Sequence, residues 1–540
     1  MLSGMNGARA VLATLERHGV DTVFGIPGVH TLPLYDALHG GGIRHVLARH
    51  EQGAGYMAYG YARATGKVGV ALVISGPGAT NIATPMANAY SDSVPVLTIA
   101  TTLPRDHDGR ERGALHELKD QFASMSALVG WARRVSDAAE LPGAVAEAFA
   151  ALTARRPRGA YLEIPLDLLT EPVPGGAADP LPVARPVPAA EDVRRAAELL
   201  GGAGRPMIIA GAGVTDAGTQ LRVLAERLGA PVLLGPGSKG VLPDDHPLVL
   251  ATRVSIVPDA FRELIGGCDV ALIIGTKLGD ERTAVGTMPL PETRVRVDLD
   301  PAELTRRWPV ELGVHADAGA FLDALLDVCD GPSAAVREDR TQWAAKSVAG
   351  ARSAMEEFAR TDFEVPTEYL DAVRAAMPAE SVTVADMTML GYASAELYPV
   401  DRARAYIHPY ELCSIGCGLP IALGARAGSG DRPVVALCGD GGILQTIGEL
   451  AVAAQEDIPV TVVVFNDRTY SAVQQNQRRS YGHRVIATEL RAPDYVALAG
   501  AFGLTPSRAD SPEALQTELT AALARPGPSL IEVPIPRATA

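Results

Sequence analysis

Two strand-like runs, Val434–Leu437 and Val460–Phe465, each stop at a polar turn: Gly439-Asp440-Gly441-Gly442 after the first and Asn466-Asp467 after the second. The stretch between them reads as helical. Strands joined through a helix are expected to lie parallel, with their carboxyl ends at one edge of a sheet. Asp440 and Asp467, separated by 467 − 440 = 27 residues, then stand side by side as hard oxygen donors. Gly439, Gly441 and Gly442 open the backbone N–H groups to close approach by an anion. Oxygen donors beside an anion cradle are what Mg²⁺ needs to clamp a diphosphate. A glycine turn and an Asn-Asp turn also occur in ordinary α/β domains. The register between the two halves is what favours the metal reading.

Alternating strand and helix signals continue along almost all 540 residues, which predicts α/β architecture with mostly parallel sheets. That length calls for roughly two to four cores. Residues 171–190 hold six prolines with Gly175 and Gly176, the composition of a linker. The expected division is 1–170, the linker 171–190, 191–332, a polar helical connector at 333–362, and 363–540. Strands are expected at Val68–Ile74, Val96–Ala100, Tyr161–Ile164, Pro206–Ala210, Val270–Ile274, Val382–Ala385 and Leu530–Val533.

Net charge of −15 argues against nucleic acid, which demands a basic footprint. No run of about eighteen apolar residues is present to span a membrane, and Met1–Arg9 lacks a secretory pattern, so a cytoplasmic location is expected. Five cysteines, with Cys413-x-x-x-Cys417 lacking a second pair, suit neither a disulfide scaffold nor a zinc site.

The Gly-Asp-Gly motif with its second half in register resembles the thiamine diphosphate motif. The order of motifs along the chain resembles the acetolactate synthase-like family of 2-oxo acid decarboxylases and carboligases. The resemblance covers nearly the whole chain. It implies three doubly wound α/β domains: pyrimidine-binding, central and diphosphate-binding. It implies thiamine diphosphate and Mg²⁺ as cofactors, with Asp440, Asp467 and Thr469 as metal ligands. Asp467 departs from the usual Asn of this motif, and a carboxylate there still suits Mg²⁺. Cofactor contacts carry over to Gly439, Gly441, Gly442, Asn466 and Tyr470, with Thr388 in the preceding strand-end loop. Ser414-Ile415-Gly416 resembles the segment that bends the cofactor, with Ile415 as the apolar wedge and the Cys413 carbonyl accepting from the exocyclic amine.

At the other end, Val23–His30, Arg49–Gly55 and Ser75–Asn81 look like pyrimidine-domain segments. Glu51 corresponds to the glutamate that shares a proton with the aminopyrimidine ring, and Asn81 to a neighbouring cofactor contact. Isolated, Glu51 would read as a helix N-terminal acid. His30 and His116 lie in loops where relatives place substrate-facing residues, and an imidazole there can bind a carboxylate or pass a proton. The histidines that several simple decarboxylases carry at the Ser75-Gly76 loop are absent, so proton handling must come from elsewhere. Asn476 stands where acetolactate synthases carry a pocket Trp.

The Gly-Ile-Pro-Gly-Val-His and Leu-His-Glu-x-x-Asp-Gln segments resemble 5-guanidino-2-oxopentanoate decarboxylase-type members. They imply non-oxidative decarboxylation of a polar 2-oxo acid through an enamine. The alternatives are acetolactate synthase-type carboligation and a non-catalytic paralogue. Ile209–Val214 is a Gly-x-Gly turn of low specificity. With Asp280-Glu281-Arg282, which resembles an acetolactate synthase segment in altered register, it leaves FAD open in the central domain. Because the pyrimidine and diphosphate domains of this family meet across a subunit boundary, a homodimer or homotetramer is implied.

Overall fold

The computed structural model describes residues 5–107, 109–251, 257–280 and 283–537. Three six-stranded sheets follow one another along the chain, and every strand pair is parallel. The first holds β1 (Thr22–Gly25), β2 (Arg44–Leu47), β3 (Gly69–Val73), β4 (Val96–Thr102), β5 (Trp131–Arg134) and β6 (Gly159–Pro165). The second holds β7 (Pro206–Ala210), β8 (Val232–Leu234), β9 (Val249–Ala251), β10 (Val270–Ile274), β11 (Thr293–Asp298) and β12 (Leu312–His315). The third holds β13 (Val382–Ala385), β14 (Tyr406–Ile407), β15 (Val434–Gly439), β16 (Val460–Asn466), β17 (Thr505–Arg508) and β18 (Ser529–Pro534). The predicted α/β class with parallel sheets is what the chain adopts.

Helices on both faces explain why β3, β4, β6, β7, β10 and β16 read as continuous apolar runs: both faces of these strands are buried. The first and third sheets share one order, β2-β1-β3-β4-β6-β5 and β14-β13-β15-β16-β18-β17. The central sheet runs β9-β8-β7-β10-β11-β12, the doubly wound dinucleotide-fold order. Residues 171–189 carry no helix or strand, and a single helix spans Ala334–Asp362.

What positions the site is a helix pair joining the first and third sheets. Helix Glu51–Thr65 lies against helix Gly418–Gly428 so closely that only glycine fits at the crossing. A Cβ on Gly424 would come 1.8 Å from the Met57 carbonyl oxygen, and one on Gly60 2.0 Å from that of Ile421. Around this crossing, Tyr56, Met57, Tyr59, Leu419, Ile421 and Leu423 belong to one apolar core shared by both sheets. Among the described residues, no helix is long and apolar enough to cross a membrane.

Candidate active site

The carboxyl ends of β13, β15 and β16 surround a cavity of about 240 Å³. Gly439, Asp440, Gly441, Gly442, Asp467, Thr469, Tyr470, Thr388, Cys413 and Ile415 all line it. Each glycine is there because a side chain would fill the cradle. A Cβ on Gly439 would lie 2.8 Å from Thr388 Oγ1, one on Gly441 2.5 Å from the Tyr470 ring, and one on Gly442 3.2 Å from Ile415 Cγ1.

The polar lining is unbalanced. Asp440 and Thr469 are 3% and 5% exposed, yet Asp440 Oδ2 and Thr469 Oγ1 have no hydrogen-bond partner among the described residues. Burial pushes the Asp440 carboxyl up to about 7, and the adjacent Asp467 charge adds to the rise. Burial raises Asp467 too, against hydrogen bonds from the Ser471 hydroxyl and the Thr469 N–H (3.0 Å to Oδ1). Two neighbouring buried carboxylates, one of them with an unpartnered oxygen, are costly unless a cation joins them. The donor set is oxygen only, which suits a hard divalent ion.

Asn466 does not reach this cavity. Its Nδ2 donates to Glu532 Oε1 at 2.8 Å, and it lines a separate hollow with Glu532 and Arg508. Asn476 faces outward on helix Ser471–Ser480, whose Val473 lines the cavity instead. The neighbouring amides Gln474 and Gln475 are buried and tied to Thr488 and Glu364.

A turn brings Ile415 to the cavity wall. Cys413 (φ 55°) and Gly416 (φ 82°) are both left-handed and bracket Ser414-Ile415. Gly416 N donates to Asp386 Oδ1 at 3.1 Å, and Thr446 Oγ1 donates to the Gly416 carbonyl at 2.7 Å. The turn thereby projects Ile415 onto Gly442. The buried Asp386 at the end of β13 was legible only as a neighbour of Thr388; its role as the foot of this turn was missed.

A second cluster forms at the carboxyl ends of β1, β2 and β3. Glu51 is the first residue of helix Glu51–Thr65, capped by His50, whose Nδ1 accepts from Gln52 N at 3.1 Å. Asn81 Nδ2 donates to Glu51 Oε2 at 2.9 Å. Glu51 is therefore both a helix N-terminal acid and an anchored carboxylate. His30 Nδ1 hydrogen-bonds the Ser75 hydroxyl. The His30 and His116 rings meet edge to face, 5.2 Å between centroids. Burial lowers the His30 pKa, and His116 lowers it further. His116 is left-handed (φ 64°), and a Cβ on Gly76 would lie 2.5 Å from its carbonyl oxygen. Thus the Ser75-Gly76 loop, which has no histidine of its own, receives two from other loops.

Glu449 was not foreseen. It is 1% exposed, and its carboxylate accepts from Arg49 N and His50 N just before Glu51. Sequence gave no sign of it, because the contact exists only where the two sheets pack.

Among the described residues, those lining the diphosphate-side cavity all lie between 387 and 535, so the Glu51 cluster is not part of it. The central sheet forms a third recess at Gly211, Gly213, Gly275 and Asp298, crossed by the Lys277–Glu411 ion pair (2.6 Å). Its volume is about 110 Å³. Asp280 pairs with Arg307, while Glu281 and Arg282 fall outside the described residues.

Two α/β sheets of one topology, one ending in an anchored glutamate and the other in a glycine cradle with paired aspartates, make the two halves of a cofactor-dependent enzyme whose cradle suits a diphosphate. Residues 5–124 match the thiamine pyrophosphate enzyme N-terminal TPP binding domain, 193–325 the central domain and 386–533 the C-terminal TPP binding domain. The chain belongs to the thiamine pyrophosphate (thiamine diphosphate) enzymes. It is 37% identical over 537 residues to the probable 2-ketoarginine decarboxylase AruI of Pseudomonas aeruginosa, covering 98% of this chain and 94% of that protein. It is 34% identical over 562 residues to the acetolactate synthase large subunit of Parasynechococcus marenigrum, covering 99% and 88%. With the acetolactate synthase isozyme 1 large subunit of Escherichia coli it shares 30% over 547 residues, covering 98% and 94%.

Proposed function

We propose that this enzyme uses thiamine diphosphate and Mg²⁺ to decarboxylate a polar 2-oxo acid of the 5-guanidino-2-oxopentanoate kind. The observation that carries the cofactor reading is the pair of unpartnered buried oxygens, Asp440 Oδ2 and Thr469 Oγ1, in a glycine-lined cavity beside a second carboxylate. The substrate reading is supported by the 37% identity along the full chain to a protein named for 2-ketoarginine.

When bound, the cofactor supplies a nucleophilic carbon and an electron sink for the departing CO₂. The chain's residues do the rest. Asp440, Asp467 and Thr469 hold the cation, and the Gly441 and Gly442 N–H groups with Thr388 receive the diphosphate. Tyr470 closes the cradle and Asn466 braces it from behind through Glu532. Ile415 would offer the bound cofactor an apolar surface, with the Cys413 carbonyl at the same wall. Glu51, steadied by Asn81, holds a proton against a ring nitrogen. His30 and His116 receive the substrate carboxylate and deliver a proton to the reacting carbon. Burial keeps His30 neutral near pH 7, which leaves it able both to donate and to accept.

Glu51, His30 and His116 meet the cation site only if a second copy supplies them, so the working form is at least a homodimer. Both half-sites are edged by exposed apolar side chains, as a contact between copies needs: Val29, Leu32 and Leu115 on one, Val473, Tyr481 and Ile486 on the other. We take 1–170, 191–332 and 363–540 as the domains, joined by 171–190 and 333–362, in a cytoplasmic enzyme. No step in this reading passes through a flavin.

A panel of 2-oxo acids, read for CO₂ release with product identification, tests the reading. The expected result is release of CO₂ with an aldehyde product from 5-guanidino-2-oxopentanoate in preference to pyruvate. Acetolactate as the main product from pyruvate would instead establish the carboligase reading, which the 34% and 30% identities to acetolactate synthases support.

A further inference from the structure

The turn that carries Ile415 is held from behind by the first sheet's helices. Ser414 Oγ donates to Asn88 Oδ1 at 2.6 Å and also hydrogen-bonds the Tyr56 hydroxyl. Asn88 Nδ2 donates to Asp92 Oδ2 at 2.8 Å, and Tyr59 OH donates to the same oxygen at 2.8 Å. The other oxygen, Asp92 Oδ1, accepts from Glu411 N at 3.1 Å. Asp92 therefore grips the approach to the turn directly and its middle through Asn88. Glu411 is in turn paired with Lys277 of the central sheet.

This cluster sits beside the apolar part of the interface between the two sheets. Tyr56 and Asn88 are fully buried beside Met57, Ile421 and Leu423. Adhesion between the sheets needs no polar group there, and a buried polar network is retained at a cost unless it fixes one arrangement. What it fixes is specific. Its two attachment points, Glu411 and Ser414, flank Cys413, and Ser414 adjoins Ile415; Cys413 and Ile415 line the cavity. Left-handed Cys413 is a conformation that a non-glycine residue holds only when its surroundings impose it.

We propose that Asn88, backed by Asp92 and Tyr56, is a positioning residue that sets the Cys413–Ile415 turn against Gly442. The first sheet thereby shapes the cofactor seat of the third sheet in its own chain. This rests on the reading of that turn as the cofactor seat.

The test compares Asn88→Ala, Ser414→Ala, the double variant and Ile415→Ala in the full-length enzyme. The readouts are the apparent KM for thiamine diphosphate at saturating Mg²⁺, the near-ultraviolet circular dichroism of bound cofactor, the KM for the 2-oxo acid, and Tm. Losing a buried hydrogen bond at the seat predicts about a tenfold rise in cofactor KM for each single variant. The dichroism band should change, and the 2-oxo acid KM should not. The double variant should be no worse than either single one, since both break the same link. A lowered Tm with unchanged cofactor KM and dichroism overturns the proposal, as do effects of the two variants that multiply. Should Asn88→Ala fail to fold, Ser414→Ala alone decides by the same cofactor readouts. If Ile415→Ala leaves cofactor KM and turnover untouched, the cofactor-seat reading itself falls and this proposal with it. If Ile415→Ala is impaired and Asn88→Ala is not, only the positioning role falls.

Discussion

Replacing Glu449 by Gln should change how stability depends on pH without changing the fold. Glu449 is 1% exposed, its Oε1 accepts from His50 N at 3.0 Å, and both oxygens accept from Arg49 N. Burial pushes its carboxyl up to about 7 from an ordinary 4.5, and the Glu51 charge adds to the rise; the Arg49 and His50 N–H bonds pull the other way. A folded-state pKa above the unfolded one means that the folded protein holds the proton more tightly. The associated stability is complete below about pH 4.5 and is lost as pH rises through about 7. At about 1.4 kcal/mol per pH unit, the whole effect is about 3 kcal/mol, of which about 2 kcal/mol is lost between about pH 5.5 and 8.5. Gln keeps an acceptor for His50 N and cannot ionise. The assay is thermal or urea unfolding of cofactor-free enzyme at both pH values, scored as variant minus wild type so that other titrating groups cancel. Glu449→Gln should gain on wild type by about 2 kcal/mol as pH is raised. A difference that is the same at both pH values would refute the argument, because it would mean that Glu449 is already ionised throughout.

Asp440→Asn removes one of the two carboxylates at the cavity, so the thermal stabilisation that Mg²⁺ with thiamine diphosphate gives the wild type should largely vanish, with kcat falling alongside; retention of the full shift would remove Asp440 from the cation site. Gly424→Ala places a Cβ 1.8 Å from the Met57 carbonyl oxygen, a backbone clash that side-chain motion cannot relieve. It should cost about 3 kcal/mol or more and expose the helix Glu51–Thr65 crossing to limited proteolysis; a wild-type Tm would contradict the close packing.

The parts of this enzyme that could be read from the chain are those whose chemistry is local. The glycine cradle, Asp440 and Thr469 sit at strand ends, where the turn residues announce the geometry. The parallel sheets followed from the runs of β-branched residues because both faces of those strands are covered. What sequence did not yield depends on surfaces meeting. The first and third sheets have one topology, yet no repeat is visible, since a strand order constrains apolar periodicity and not residue identity. Asn88 and Glu449 look like ordinary surface polar residues of helices until the packing of the first and third sheets buries them. His30 and His116 reach the Ser75-Gly76 loop because loops remote in sequence converge at the carboxyl edge of a parallel sheet. A motif search that requires the imidazole at a fixed place in the chain therefore looks for the wrong invariant. In the proposed reaction the proton carrier is fixed by a place in space, and any strand-end loop on that edge can deliver one.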